Sequence, residues 1–220
     1  AQCRKDKIFN RIYLISPSAN SNQSYFGKYV NDEDIFLPTK SSISEVIKCV
    51  ENERDEFESY LQQMEAYNEF KDLIREKRGL KNIDDELLLM YDEMGFLQGK
   101  PKWKYEDQDG GKVSPSRSLL ILDDVIGSPA ISQSSGLMQL ATLNSHLGEL
   151  QKPHSNRTAC GLAVIILSQS YRFSQGVSRV LRENISVFVM FKNRQEKQLQ
   201  AIKEEIFFVF SPDWRPTINI

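Results

Sequence analysis

Two adjacent carboxylates, Asp123 and Asp124, close a run of four apolar residues, Leu119 to Leu122. A short, unbroken apolar run reads as a strand buried on both faces. Paired acids at the carboxyl end of such a strand suit Mg²⁺-dependent phosphoryl chemistry. One acid holds the ion, directly or through water, and the other polarises an attacking water. A second apolar run, Leu162 to Leu167, ends in Ser168-Gln169-Ser170. The Gln169 amide at that tip suits contact with a γ-phosphate or orientation of water. Taken singly, each group also reads as a solvated turn or capping residue. Open α/β sheets gather ligands at the carboxyl ends of their strands, and that shared placement favours the functional reading for the three together.

Planar guanidinium groups suit the spread charge of a transferring phosphoryl group. Arg179 and Arg182 are the first candidates for that role and Arg157 the next; the bland alternative is a surface arginine. Lys100, Lys102, Trp103, Lys104 and Tyr105 interleave bases with aromatics, a pattern that can contact nucleic acid. Glu106, Asp107 and Asp109 follow at once and favour a solvated loop instead. His146 and His154 have no partner pattern. No G-x-x-x-x-G-K-[ST] loop occurs in the 220 residues. Gly99-Lys100 runs into Pro101, which lacks an amide hydrogen, and Gly111-Lys112 is followed by Val113.

These groups need a scaffold. Phe9 to Ser16 reads as a strand closed by Ser16-Pro17-Ser18, and Asp34 to Pro38 as a short second one. Ser41 to Arg78 carries a helical rhythm at Ile43, Val46, Ile47, Val50, Phe57, Leu61, Met64, Phe70, Leu73 and Ile74. Ser42 or Ser44 suits its start and Gly79 its end. The charged middle, Glu51 to Glu58, is either the wet side of one helix or a break between two. Helices are expected over Ile83–Met94 and Gly136–Leu150, with residues 98–117 the longest loop between elements. Further on, Val177–Arg182 and Arg194–Glu205 read as helical, Ile185–Phe191 as a buried strand and Ile206–Phe210 as a last strand. Strands alternating with helices predict an α/β domain with a mostly parallel sheet and flanking helices, residues 41–117 forming a helical insertion with a mobile loop within a single 1–220 core.

A net charge of −2 excludes a global basic field, so any DNA contact is a local or assembled patch. Three widely spaced cysteines, Cys3, Cys49 and Cys160, argue against a disulfide framework and for a reducing, intracellular compartment. No apolar run approaches ~18 residues, so no membrane segment is expected. The first residues lack the apolar core of a signal peptide.

The order RIYLISPS (11–18), LLILDDV (119–125), VIILSQSYR (164–172) and LRENISVFVMFKN (181–193) resembles the genome-packaging ATPases of the FtsK-HerA superfamily, found in large double-stranded DNA viruses, virophages and Polinton-type elements. The resemblance spans most of residues 8–205 and is weakest across 41–117. It implies a P-loop NTPase core of the RecA/ASCE kind. It also implies a homo-oligomeric ring that couples ATP hydrolysis to moving double-stranded DNA into a capsid. ATP and Mg²⁺ would be the cofactors, and capsid or portal-vertex proteins the partners, in the host cytoplasm or nucleus. Asp123 matches the Mg²⁺-binding acid, Asp124 the catalytic acid and Gln169 the γ-phosphate sensor. Arg182 or Arg179 matches an arginine acting in trans. The family's phosphate loop would precede Ala1, which implies an N-terminally truncated chain. A cellular HerA-like translocase or helicase, and a non-hydrolysing P-loop domain acting as a binding or assembly module, are the alternatives.

Overall fold

The computed structural model describes residues 8–19, 23–105, 113–132, 135–143, 147–150, 160–168, 186, 187 and 189. Gln169, Arg157, Arg179, Arg182, His146 and His154 lie outside the described residues, as do the elements expected over 177–182 and 194–210.

Strands β1 (Arg11–Ile15), β2 (Ile35–Phe36), β3 (Ser118–Asp123) and β4 (Leu162–Leu167) form one parallel sheet in the order β2-β1-β3-β4. Parallel neighbours need crossovers of a dozen or more residues, commonly helical. Helix α1 (Gln23–Phe26) lies between β1 and β2 in the chain. Helices α2 (Ser42–Glu76) and α3 (Asp85–Glu93) lie between β2 and β3, and α4 (Pro129–Ser132) and α5 (Ser135–Leu143) between β3 and β4. The fold class is α/β, with a parallel sheet and flanking helices. No helix among the described residues is long and apolar enough to cross a membrane.

The chain divides into two compact units, and the division passes within β1, α2, β3 and β4. The first unit comprises residues 1–12, 46–119 and 144–163. It holds most of α2, which is a single unbroken helix of 35 residues. Its buried stripe runs Val46, Val50, Glu53, Phe57, Tyr60 and Leu61, so the three/four spacing of the core face lands on a glutamate. The charged middle of the helix is therefore neither a break nor wholly a wet face. Phe57, Tyr60 and Leu61 pack with Trp103 and Leu150, and Met64, Tyr105 and Val113 close around them. A second cluster joins Phe70 of α2 to Ile83 and Phe96. Each large side chain buried in this way contributes roughly 1.5–3 kcal/mol. Helix α2 ends where Arg78 turns left-handed (φ 56°) and the Gly79 amide reaches back to the Ile74 carbonyl at 3.0 Å. The expected stop at Gly79 thus begins one residue earlier, on an arginine.

The second unit comprises residues 13–45, 120–143 and 164–220, and holds the carboxyl ends of β1, β3 and β4. Here β1 and β2 pair with Leu14 opposite Ile35 and Ile15 opposite Phe36. Tyr13, Leu14, Ile15, Leu120 and Leu122 are fully buried. The second expected apolar strand differs: Ile165 and Leu167 of β4 are exposed, so only part of that run is covered. Val187 and Val189, expected in a buried strand, are exposed and belong to no strand. Helix α5 is described over Ser135–Leu143, residues 144–146 lie outside the described residues, and the helix expected to run to Leu150 does not include Gly148. Gly148, at φ 72°, has a backbone that no right-handed helix accepts.

Candidate functional site

Burial of Leu119, Leu120 and Leu122 fixes β3 in the sheet and carries Asp123 to its carboxyl end, where the side chain is half-buried. The next residue, Asp124, is exposed and takes a left-handed conformation, φ 50°. Aspartate tolerates this region better than most residues, and non-glycine residues held there cluster at functional sites. The Asp124 amide donates to the Leu167 carbonyl at 3.2 Å. That bond ties the acid pair to the tip of β4, one residue before Ser168 and two before Gln169.

Ser16 follows β1, and its amide donates to the Phe36 carbonyl at 3.2 Å. Its side chain is fully buried, and its Oγ donates to Asp123 Oδ2 at 3.0 Å. The Ser18 amide donates to Ser16 Oγ at 3.2 Å, closing the turn that Pro17 opens. Ser16 Oγ and Ser18 Oγ are 3.1 Å apart. An ionised carboxylate only accepts, so the one Ser16 hydroxyl proton is committed to Asp123. The Ser18 hydroxyl must then be the donor in its contact with Ser16. The hydroxyls form a directed chain, Ser18 to Ser16 to Asp123, in which each donation strengthens the next.

The acid pair suits a hard divalent cation that keeps most of its shell as water or phosphate oxygen, which is how Mg²⁺ is held. No group of three or more His, Cys, Asp or Glu among the described residues forms an all-protein metal cage. One serine bond on Asp123 leaves its carboxylate with acceptor capacity for an ion.

Sequence reasoning put Asp123 and Asp124 at a strand end, and the structure places them there. It named Ser16 and Ser18 only as the close of a strand. The Ser-Pro-Ser turn at the end of a strand parallel to the acidic one was the signal available.

The basic-aromatic run, expected as a solvated loop, is instead packed in part through Trp103, Lys104 and Tyr105. Trp103 is buried against Phe57, with ring centroids 5.0 Å apart. Lys104 reaches the buried Glu53 at 2.8 Å and also pairs with Glu56. Tyr105 donates to Glu53 Oε1 at 3.0 Å, and Arg11 contacts the same oxygen at 3.2 Å. Burial, and then the Glu53 charge, push the Tyr105 hydroxyl up to about 12. For Lys104, burial alone would lower the pKa, but hydrogen bonds to Glu53 and Glu56 outweigh it and raise it. Lys100 and Lys102 are exposed. A surface hollow of about 190 Å³, lined among others by Gln63, Met94, Phe96 and Lys100, shares no residue with the acid pair.

No family model, curated protein or solved structure matches the chain.

Proposed function

We propose that the chain carries the acid pair of an ATP-driven double-stranded DNA translocase of the genome-packaging kind, working as a ring of subunits with capsid-vertex partners. One observation carries the reading. Asp123 and Asp124 stand at the carboxyl end of an interior strand of a parallel sheet, tied to the neighbouring strand tips through Ser16 and Leu167. The order of motifs in the sequence supports the family, and the parallel sheet supports the fold.

In this reading ATP and Mg²⁺ supply the phosphoryl group and the charge that offsets its developing negative oxygens. Asp123 holds the ion, with its rotamer set by Ser16. Asp124, exposed beyond the strand, would accept a hydrogen bond from the attacking water and orient it. Gln169 is assigned contact with the terminal phosphate, and Arg182 or Arg179 the arginine donated to a neighbouring subunit; these three assignments rest on the motif order alone.

The test is DNA-stimulated ATP turnover by the native gene product and its Asp124→Asn and Asp123→Asn variants. Loss of the water-orienting acid is expected to lower turnover by roughly 10²-fold or more with nucleotide binding retained. Asp123→Asn is expected to raise the Mg²⁺ requirement. Undiminished turnover in Asp124→Asn, or turnover indifferent to DNA, would sink the proposal.

A further inference from the structure

We infer that Ser16 is a positioning residue for the metal-holding acid, and that it acts through a hydroxyl chain begun by Ser18. The inference rests on the reading of Asp123 as the Mg²⁺ acid and adds a residue that the motif pattern does not assign. Ser16 is fully buried, and its single proton is committed to Asp123 Oδ2 at 3.0 Å. Its oxygen accepts from the Ser18 amide at 3.2 Å and faces the Ser18 hydroxyl at 3.1 Å. The donor set of Ser16 is thus fully used, and its orientation is fixed from behind by the turn at Pro17. A carboxylate whose Oδ2 is held in this way loses rotamer freedom before any ion arrives. Partners behind a metal ligand set its orientation and raise affinity, and their removal typically costs 10–100-fold. The arrangement also joins β1 to β3 at their tips, so the ion site is set by the registry of two strands rather than by β3 alone.

The experiment is a Mn²⁺ titration of the native gene product with ADP present, followed by electron paramagnetic resonance, on wild type, Ser16→Ala, Ser16→Cys, Ser18→Ala and Asp123→Asn, with thermal melts of each. Cysteine keeps nearly the same volume but is a weak donor. Ser16→Ala and Ser16→Cys are expected to bind Mn²⁺ about tenfold more weakly with melting temperatures close to wild type. Ser18→Ala is expected to fall between them and wild type, because Ser16 keeps its bond to Asp123. Wild-type affinity in Ser16→Ala, beside lost binding in Asp123→Asn, overturns the role of Ser16 and leaves the acid reading standing. A loss in Ser16→Ala that tracks a fall in melting temperature and is absent in Ser16→Cys also overturns it, as a packing effect. No Mn²⁺ uptake by wild type, or full uptake by Asp123→Asn, overturns both readings together.

Discussion

Tyr105 donates its hydroxyl to Glu53, a carboxylate buried on the core stripe of α2, across 3.0 Å. Burial, and then the Glu53 charge, hold the Tyr105 proton more tightly in the folded chain than in the unfolded one, with a pKa of about 12 against 10.0. A raised folded pKa gives a contribution fully present below the unfolded value and lost as pH climbs through the folded one. Lys104, also raised, acts in the same direction. Urea unfolding is expected to show stability falling between pH 10 and 12. Tyr105→Phe removes the titrating hydroxyl and should flatten that fall, and an identical slope in the variant would mean that the Tyr105 pKa is not raised on folding.

Glu53→Ala removes the shared acceptor of Arg11, Lys104 and Tyr105. The two cations keep partial access to water, with side chains 23% and 39% exposed, and recover part of their hydration. The expected cost is about 3 kcal/mol, the lower end for a broken buried pair. Glu53→Gln, which keeps the shape and one acceptor, is expected to lose less. Denaturant midpoints at pH 7 give both values.

Two glycines mark contacts too close for a side chain. A Cβ on Gly148 would meet Cys160 Cβ at 2.7 Å and its carbonyl oxygen at 2.8 Å, from a backbone already at φ 72°. A Cβ on Gly136 would meet Ile43 Cγ2 at 2.9 Å and the Ser44 amide at 3.1 Å. Gly148→Ala is expected to cost more than Gly136→Ala, because the first adds left-handed strain to a backbone clash. Values near 3 and 1–2 kcal/mol respectively are expected for such overpacking, read from thermal melts.

Asp124 occupies φ 50° without being glycine. Replacing it with glycine removes a left-handed penalty, and replacing it with alanine does not. Asp124→Gly is expected to be more stable than Asp124→Ala by about 1 kcal/mol. Both lose the carboxylate, so under the proposed function ATP turnover falls equally in the two. Equal stability of the two variants would show that the conformation is not strained.

Strands β3 and β4 were legible because apolar runs closed by polar residues mark their ends. Leu162–Leu167 matches β4 to the residue. What the run could not reveal was that Ile165 and Leu167 face outward, since continuity of apolar residues carries no information about which face is covered. Glu53 was hidden for the opposite reason. It lies among Glu51, Arg54, Asp55, Glu56 and Glu58, and local composition there outweighs the heptad-like count from Val46 through Val50 to Phe57. Ser16 was visible as a strand end, but its bond to Asp123 depends on which strands are neighbours. A pairing 107 positions apart leaves no local trace.

That separation bears on how the chain reaches its native state. Arg117 bonds to Asn10 across the same 107 positions, so joining β1 to β3 unaided means closing a very long loop. The two helices between them supply a shorter route. Phe70 packs with Ile83 and Phe96, and Val113 returns against the cluster around Phe57, all through contacts of modest sequence range. With Val113 held against Phe57, the loop left to close between Asn10 and Arg117 is about half as long. The insertion then acts as an internal assembly aid, and lesions at Phe70 or Phe96 are expected to slow refolding rather than merely hasten unfolding.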